Sequence, residues 1–159
     1  MNFDKRMLTK IFDMIMFHIR TRYLQTEERT GAEISASLKK AIPIYGTDKM
    51  IRVAFDSKYY VTSKEDFERL AKINPVDKIP YKKEKFDCDN FARLFSETMS
   101  LSAGINSIGI VVDHSGGHAY NVVIFKNGEV GFWEPQSDRW VEIGEVGSLY
   151  ELSWGIIIL

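Results

Sequence analysis

The sequence is poor in cysteine, and Cys88 is the only one among 159 residues. A single thiol excludes an intrachain disulfide and any metal site built from several thiolates. It agrees with a reducing compartment, so we expect a cytoplasmic protein.

An excess of one charge is also missing, because 21 Lys and Arg are balanced by 22 Asp and Glu, for a formal net charge of −1. This balance excludes a global field that would attract nucleic acid or an anionic membrane. The apolar stretch at residues 7–19 is interrupted by Lys10, Asp13 and His18, and it is too short to span a bilayer. We therefore expect no nucleic-acid partner and no membrane partner.

What the sequence does contain is the composition of one globular domain over residues 1–159, with 45% apolar and 27% charged residues. Periodicity and capping signals predict helices over residues 4–24, 32–41, 63–73 and 86–101, with a short strand over 50–55. Five β-like runs separated by glycine-bearing turns follow, between residues 105 and 159. This order predicts an α+β fold, in which N-terminal helices and a central cysteine-bearing helix pack on a C-terminal antiparallel sheet.

Cys88 is predicted to lie in the first turn of the helix over residues 86–101, with Asp87 as its cap. Cys88, Phe91, Ala92 and Phe95 share one helix face, which must be the buried one, so the thiol is directed toward the sheet. The positive end of the helix dipole favours a thiolate there. The alternative is that Cys88 is a small buried apolar residue.

Asp87 and Asp89 flank the cysteine, and two nearby carboxylates disfavour a thiolate unless they point away, cap the helix or bind a cation. Oxygen-rich positions beside a helix start suit Ca²⁺, so Asp87 and Asp89 are candidate ligands. The alternative is a helix cap next to a solvated carboxylate.

His118 and Glu134 are the other candidate functional residues. His118 is the first residue of a predicted strand and directly follows two glycines. We therefore expect it at a sheet edge where a ligand can approach. Glu134 ends the next strand, and the proline after it restricts it to extended conformations. Asn121, Glu134 and Gln136 are all candidates to orient the imidazole.

The loop between these two strands decides whether Glu134 can reach His118. A two-residue loop would place Glu134 opposite Asn121, and acid and histidine would then face opposite sides of the sheet. A three-residue loop would place Glu134 opposite Tyr120, so that His118 is a diagonal neighbour on the same face. A site built on both residues therefore requires the longer loop or a bulge.

Three strings occur in order: YKKEKFDCDNFA at 81–92, GHAYN at 117–121 and WEPQ at 133–136. Together they resemble the papain-like and transglutaminase-like cysteine hydrolase superfamily. They are most similar to the C-terminal cysteine-protease domain of a fungal galactose-binding agglutinin and to its small bacterial and phage relatives. The likeness covers residues 56–138, the protease-like core, and leaves residues 1–50 as a helical N-terminal extension.

The resemblance implies a papain/transglutaminase-like fold and a catalytic triad of Cys88 as nucleophile, His118 as base and Glu134 as orienting acid. It implies a thiol protease or amidase that cleaves a peptide or protein substrate through a thioester. Transfer of the acyl group to an amine, as transglutaminases do, is an alternative. A binding or inhibitory module that keeps the site without turnover is another, as is a purely structural role for the three residues.

The resemblance requires no cofactor for the chemistry, but it implies calcium as a candidate ion. Asp87, Asp89 and Gln136 are the candidate ligands for calcium, with Asp89 and Gln136 as the preferred pair. Asn90 departs from the family pattern, which has a second Asp there. Asn121 and Gln136 are the residues assigned to orient the imidazole or the substrate.

Overall fold

The computed structural model describes residues 24–159, and the helix predicted over residues 4–24 lies outside this part in all but its last position. The elements, in chain order, are β1 (Glu27–Thr30), α1 (Gly31–Ala41), β2 (Met50–Val53), β3 (Lys58–Val61), α2 (Lys64–Ala71), a short 3-10 helix (Pro75–Lys78), α3 (Cys88–Ala103), β4 (Ile108–Asp113), β5 (His118–Ile124), β6 (Val130–Glu134), β7 (Arg139–Val141) and β8 (Gly155–Ile158).

The helix α3 carries the cysteine and confirms the helix predicted over residues 86–101. It begins at Cys88, where the backbone N–H of Asp87 donates to the Asn90 side-chain oxygen at 3.1 Å. It ends at Gly104, whose φ of 67° is the left-handed conformation that glycine adopts without strain. Its apolar face is buried against the sheet, and these buried residues are Phe91, Ala92, Phe95, Met99 and Ala103.

The main sheet has six strands in the order β2-β8-β4-β5-β6-β7, and a second sheet pairs β1 with β3. The strand β2 runs parallel to β8, whereas the other neighbours in the main sheet run antiparallel. The five C-terminal strands are antiparallel to one another, as predicted, but the predicted fold class, an antiparallel sheet in a papain/transglutaminase-like arrangement, is wrong because β2 makes the sheet mixed. A strand from the first third of the chain joins the sheet at its edge, because the long intervening chain provides the crossover that a parallel pair needs.

Both faces of the main sheet are covered, so β5 is buried along almost its whole length. Alternate residues of a strand point to opposite faces. Val122 accordingly packs in the cluster beneath α1, and Val123 packs in the cluster beneath α2 and α3. Phe67 of α2 is the centre of the second cluster, because its ring meets four other aromatic rings within 6.0 Å. These two cores fix the sheet between the helices.

The register of β5 against β6 places the acid and the histidine on one face. Trp133 pairs with Asn121, and the next residue, Glu134, therefore lies opposite Tyr120. His118 is then the diagonal neighbour of Glu134. The requirement for a three-residue loop between these strands is confirmed.

A close approach of Gly131 to an aromatic ring gives a test of the packing at β6 and β7. A Cβ at Gly131 would lie 2.7 Å from Cζ3 of Trp140, whose Nε1 donates to Glu68 at 2.8 Å and holds the ring in place. We expect Gly131→Ala to lower the free energy of unfolding in urea by about 1–3 kcal/mol, as overpacking does. Gly31→Ala is the control, because its nearest neighbours would lie at 3.7 Å. Equal midpoints for the two variants would contradict this packing.

Candidate functional site

Glu134 is the centre of a hydrogen-bonded cluster at the end of β6, and it is only 3% exposed. Its Oε2 lies 2.6 Å from His118 Nε2 and accepts the Tyr150 hydroxyl at 2.9 Å, while Oε1 accepts the Gln136 backbone N–H at 3.1 Å. Burial by itself raises the pKa of Glu134. The hydrogen bonds from His118, Gln136 and Tyr150 outweigh burial and hold this pKa below its usual range.

Tyr150 completes the cluster, and sequence reasoning missed it. Burial, followed by the hydrogen bond to Glu134, raises the pKa of Tyr150 to about 12, so its hydroxyl remains a donor at neutral pH. Its ring stands edge-on to the His118 ring, with centroids 5.5 Å apart and an interplanar angle of 74°. Tyr150 lies 16 residues after Glu134, beyond a glycine-bearing loop. No local sequence pattern predicts that its hydroxyl contacts the Glu134 carboxylate.

A second buried carboxylate, Asp113, holds the two segments that carry the cluster. Its Oδ1 accepts the Ser115 hydroxyl at 2.6 Å and the Gly116 N–H at 2.8 Å. Its Oδ2 accepts the Leu152 N–H at 2.8 Å and the Tyr120 hydroxyl at 3.3 Å. Asp113 therefore joins the turn that leads into β5 to the segment that carries Tyr150.

Asp113 was also missed by sequence reasoning, although the sequence carries a signal for it. It pairs with His118 in the β4–β5 ladder and stands two residues before Ser115, and an acid so placed typically accepts hydrogen bonds from the turn that follows. The same turn requires glycine at position 116, because a Cβ there would lie 2.3 Å from the Leu149 carbonyl oxygen.

Cys88 lies toward the His118 end of the sheet. The Ser96 hydroxyl donates to the first carbonyl of β4, and the Asn121 side chain donates to the Ala92 carbonyl at 2.8 Å. Cys88 lies one helical turn before Ala92, on the side of α3 that is nearer to His118. It is half-buried. Within residues 24–159, no hydrogen bond joins the Cys88 thiol to the imidazole.

The other two candidates for orienting the imidazole take different positions. Asn121 is fully buried, and its amide donates to the carbonyls of Ala92 and Gly109, so it fastens α3 to the sheet instead of meeting His118. Gln136 contributes its backbone N–H to Glu134. The structure thus brings His118 and Glu134 together and leaves Asn121 outside the cluster.

Asp87 and Asp89 contact each other at the start of α3. Their mutual hydrogen bond is the main reason why the pKa of Asp89 is raised and that of Asp87 is lowered, as expected when two carboxyls share a proton. Asp87 also accepts the Glu84 backbone N–H at 2.9 Å. In the described part of the chain, no group of three or more His, Cys, Asp or Glu is arranged to hold a metal. Calcium binding by Asp87, Asp89 and Gln136 stays a prediction.

The family model of the ricin-type beta-trefoil lectin C-terminal domain matches residues 23–149. This match spans most of the chain, which therefore belongs to that lectin-domain family. No curated protein matches the chain.

Two solved structures share the fold. PSL1a in its complex with E64 has 21% identity and a TM-score of 0.63, over 83% of this chain and 51% of that one. Polyporus squamosus lectin bound to the human-type influenza-binding epitope Neu5Aca2-6Galb1-4GlcNAc has 22% identity and a TM-score of 0.62, over 83% and 49%. At this identity the likeness shows the fold alone, and the chain spans about half the length of these lectins.

The family assignment overturns the resemblance to papain-like and transglutaminase-like cysteine hydrolases, because the matching family and the solved structures are lectins. The predictions that followed from this resemblance are wrong as well, namely the papain/transglutaminase-like fold, the thiol protease or amidase activity and the peptide or protein substrate. The three strings that carried the resemblance occur here in a lectin-domain family, and their residue types and order do not by themselves establish turnover.

The division of the single domain into an N-terminal extension at residues 1–50 and a core region at residues 56–138 remains a prediction. The cytoplasmic location also remains a prediction. No helix within residues 24–159 has the length and apolar character needed to cross a membrane.

The lowered pKa of Glu134 predicts how the stability of the protein depends on pH. A carboxyl whose pKa is lower in the folded state stabilises the fold when ionised, and this contribution is lost as the pH falls through the folded pKa. We expect Glu134→Gln to cost about 1.5–3 kcal/mol at neutral pH. The difference from the wild type should shrink below about pH 4, near the unfolded pKa of glutamate.

Urea denaturation across this pH range measures the difference, with Glu142→Gln as the control at an exposed glutamate. A cost for Glu134→Gln that is the same at acidic and neutral pH would contradict the assignment of Glu134 as an ionised hydrogen-bond acceptor.

The buried position of Asp113 predicts a larger loss. Asp113→Asn keeps the shape but replaces an acceptor oxygen with an N–H₂ group, which would face donors such as the Gly116 and Leu152 N–H groups. We expect a loss of about 3–5 kcal/mol in the free energy of unfolding, as when one partner of a buried charged network is removed. Chemical denaturation measures it, with the exposed Asp48→Asn as the control. A loss as small as that of Asp48→Asn would show that Asp113 does not tie the two segments together.

Proposed function

We propose that this chain is a saccharide-binding domain, and that its ligand contacts the cluster of His118, Glu134 and Tyr150, called the binding cluster below. The observation that carries the proposal is the hydrogen-bonded arrangement of these three side chains at one end of the sheet, in a chain of a lectin-domain family. It takes up the alternative of a binding module that keeps the site residues without turnover.

The binding cluster offers a ligand both polar and aromatic contacts. Saccharides present hydroxyl groups together with an apolar C–H face, and pockets for small ligands combine apolar walls with a few fixed polar groups. The carboxylate of Glu134 holds Nε2 of His118, so Nδ1 is the ring nitrogen left for a ligand. The His118 side chain is 13% exposed and that of Glu134 is 4% exposed, so the ligand would meet the imidazole before the carboxylate.

Exposed apolar side chains flank the turn that leads into His118. Trp154 is 52% exposed and Leu149 is 55% exposed, and the His114 ring stacks on the Trp154 ring at a centroid distance of 4.4 Å. The backbone N–H of Trp154 donates to Ser115 of the same turn. Neighbouring apolar groups that remain exposed are typical of interaction surfaces. They support a ligand surface beside the binding cluster.

Cys88 is assigned in this proposal as a contact residue on the α3 side of the ligand surface, and Gln136 as the residue that fixes Glu134 through its backbone. The proposal concerns this chain alone and requires no metal. The first ligand to test is Neu5Aca2-6Galb1-4GlcNAc, the saccharide bound in the Polyporus squamosus lectin structure. It is called the sialylated saccharide below.

Isothermal titration of the full chain with the sialylated saccharide tests the proposal. We expect binding by the wild type, and a loss of tenfold or more in affinity for His118→Ala, about 1.4 kcal/mol or more. Tyr150→Phe should also weaken binding, because it removes the hydroxyl that holds Glu134 in place. Tyr60→Phe is the matched control, since Tyr60 lies on the two-stranded sheet and its hydroxyl contacts Glu28 instead.

Absence of binding to this saccharide and to every saccharide of a glycan array would refute the proposal. Wild-type affinity in His118→Ala would refute the placement of the ligand at the binding cluster.

A further inference from the structure

The main sheet is covered unevenly on the side where α3 lies. The strands β4 and β5 pack against α3, and Ile108 of β4 is buried in the core between them. Because alternate residues of a strand share a face, Ile110 and Val112 lie on the same side of the sheet as Ile108. These two residues are only half-buried. The packed core on the α3 side therefore ends within β4.

The same apolar face continues across the next two strands, because residues paired in a ladder lie on one side of a sheet. The strand β8 pairs with β4, and β2 pairs with β8. Each of the three strands contributes branched apolar side chains to this side. These residues, called the open face below, are Ile51, Val53, Ile110, Val112, Ile156 and Ile158.

The open face is apolar but is not fully buried within residues 24–159. Ile51 is 54% exposed and Val53 is 37% exposed, and Phe55, which follows them at the same spacing, is 76% exposed. The remaining residues of the open face are half-buried. The other side of these strands is closed, since Val111 and Ile157 are buried there. A contiguous exposed apolar area of this kind is typical of a surface that receives another element.

Residues 1–23, which lie outside the described part of the chain, have a sequence pattern suited to such a surface. Apolar residues recur there at helical spacing, and they are Leu8, Ile11, Phe12, Ile15 and Ile19. The opposite side of such a helix would carry the polar residues Arg6, Lys10, Asp13 and Arg20. A helix in a protein owes most of its stability to packing of its apolar side. The pattern therefore predicts a helix that requires an apolar partner.

The open face has the dimensions of one helix. At 1.5 Å per residue, the apolar stripe from Leu8 to Ile19 would be about 17 Å long. The strands of the open face have four to six residues, which corresponds to about 13–20 Å. Their two spacings amount to about 10 Å, the diameter of a helix with its side chains. One helix laid along the strands would therefore cover the open face.

Residues 1–23 join the described part of the chain on the correct side of the sheet. Leu24 packs against the core that contains Phe95 of α3 and Ile108 of β4. The strands β8 and β2 are the second and third neighbours of β5 on this side, about 10–15 Å away from it. Residues 20–23 in an extended conformation would span about 13 Å. The preceding residues can therefore reach the open face.

Charge also favours contact between the two parts of the chain. Residues 1–23 hold five Lys and Arg against two Asp, whereas the whole chain has a formal net charge of −1, so the remainder is net acidic. Beside the open face, a cleft next to α3 is lined by Asp56 and Glu97 together with Arg93. Opposite charge on two surfaces favours their association.

We propose that residues 1–23 form a helix that docks on the open face, with its apolar stripe against β8 and β2. This helix completes the layer on the α3 side of the main sheet, where α2 and α3 cover the other strands. Ile51, Val53 and Phe55 are then shielded from solvent in the full chain. The proposal does not depend on the ligand of the binding cluster.

Hydroxyl-radical footprinting of the full chain measures whether the open face is covered. We expect Phe55 to be oxidised several-fold more slowly in the wild type than in the double variant Ile11→Asp/Ile15→Asp. This variant places two carboxylates in the apolar stripe, and the cost of burying them should release the helix from the sheet. Trp154, which is 52% exposed and precedes β8, is the internal reference and should be oxidised alike in both proteins.

The matched control is the double variant Lys10→Ala/Arg20→Ala. It changes the net charge by the same amount as the aspartate variant, but on the opposite side of the predicted helix. We expect Phe55 to remain as protected in this control as in the wild type.

A double-mutant cycle followed by urea denaturation provides a second measurement that needs no buried charge. Ile15→Ala and Ile51→Ala should each lower the urea midpoint, and together they should lower it by less than the sum, because both remove the same packing contact. The control cycle pairs Ile15→Ala with Val146→Ala, since Val146 is 87% exposed in the loop before Tyr150. The effects of the control pair should add.

Four results would overturn the docking of residues 1–23 on the open face. The first is oxidation of Phe55 that is as fast in the wild type as in the aspartate variant. The second is protection of Phe55 that disappears on dilution, because a second copy of the chain would then cover the open face. The third is equal loss of protection in the aspartate variant and its matched control. The fourth is additive effects of Ile15→Ala and Ile51→Ala.

Discussion

The contact between Glu134 and His118 is the interaction on which the candidate site depends. A carboxylate taken out of water is costly unless donors surround it, and Glu134 has three of them. Because these donors come from β5, from the turn after β6 and from the segment before β8, the acid joins three parts of the chain. The register of β5 against β6 makes the contact possible, since a shift by one residue would turn Glu134 to the other face of the sheet.

A second buried acid gives the site its rigidity. Asp113 holds the turn before β5 on one oxygen and the segment after Tyr150 on the other. The imidazole and the phenol therefore enter the cluster from segments that share one anchor. The cores on the two sheet faces hold the ladder that carries these residues, so the site is built on strands that are packed on both sides.

Local order in the sequence predicts α3, the position of Cys88 at its start and the alignment of His118 with Glu134, because each depends on neighbouring residues or on one loop length. It does not predict the parallel pairing of β2 with β8, since the hydrophobic pattern of a short strand does not determine which other strand it pairs with. Tyr150 was missed for the same reason, because its contact with Glu134 depends on how two segments of the chain meet. Motif order also gave the wrong class of protein, since residue types at helix and strand ends do not define a reaction.

The central claim is that the binding cluster contacts a saccharide ligand. The most direct measurement is a nuclear magnetic resonance titration of the isotope-labelled chain with the sialylated saccharide, following side-chain and backbone signals. The account predicts the largest changes at His118 and Tyr150, with little change in the sheet formed by β1 and β3. Changes confined to residues remote from the cluster, or no change at saturating saccharide, would contradict it.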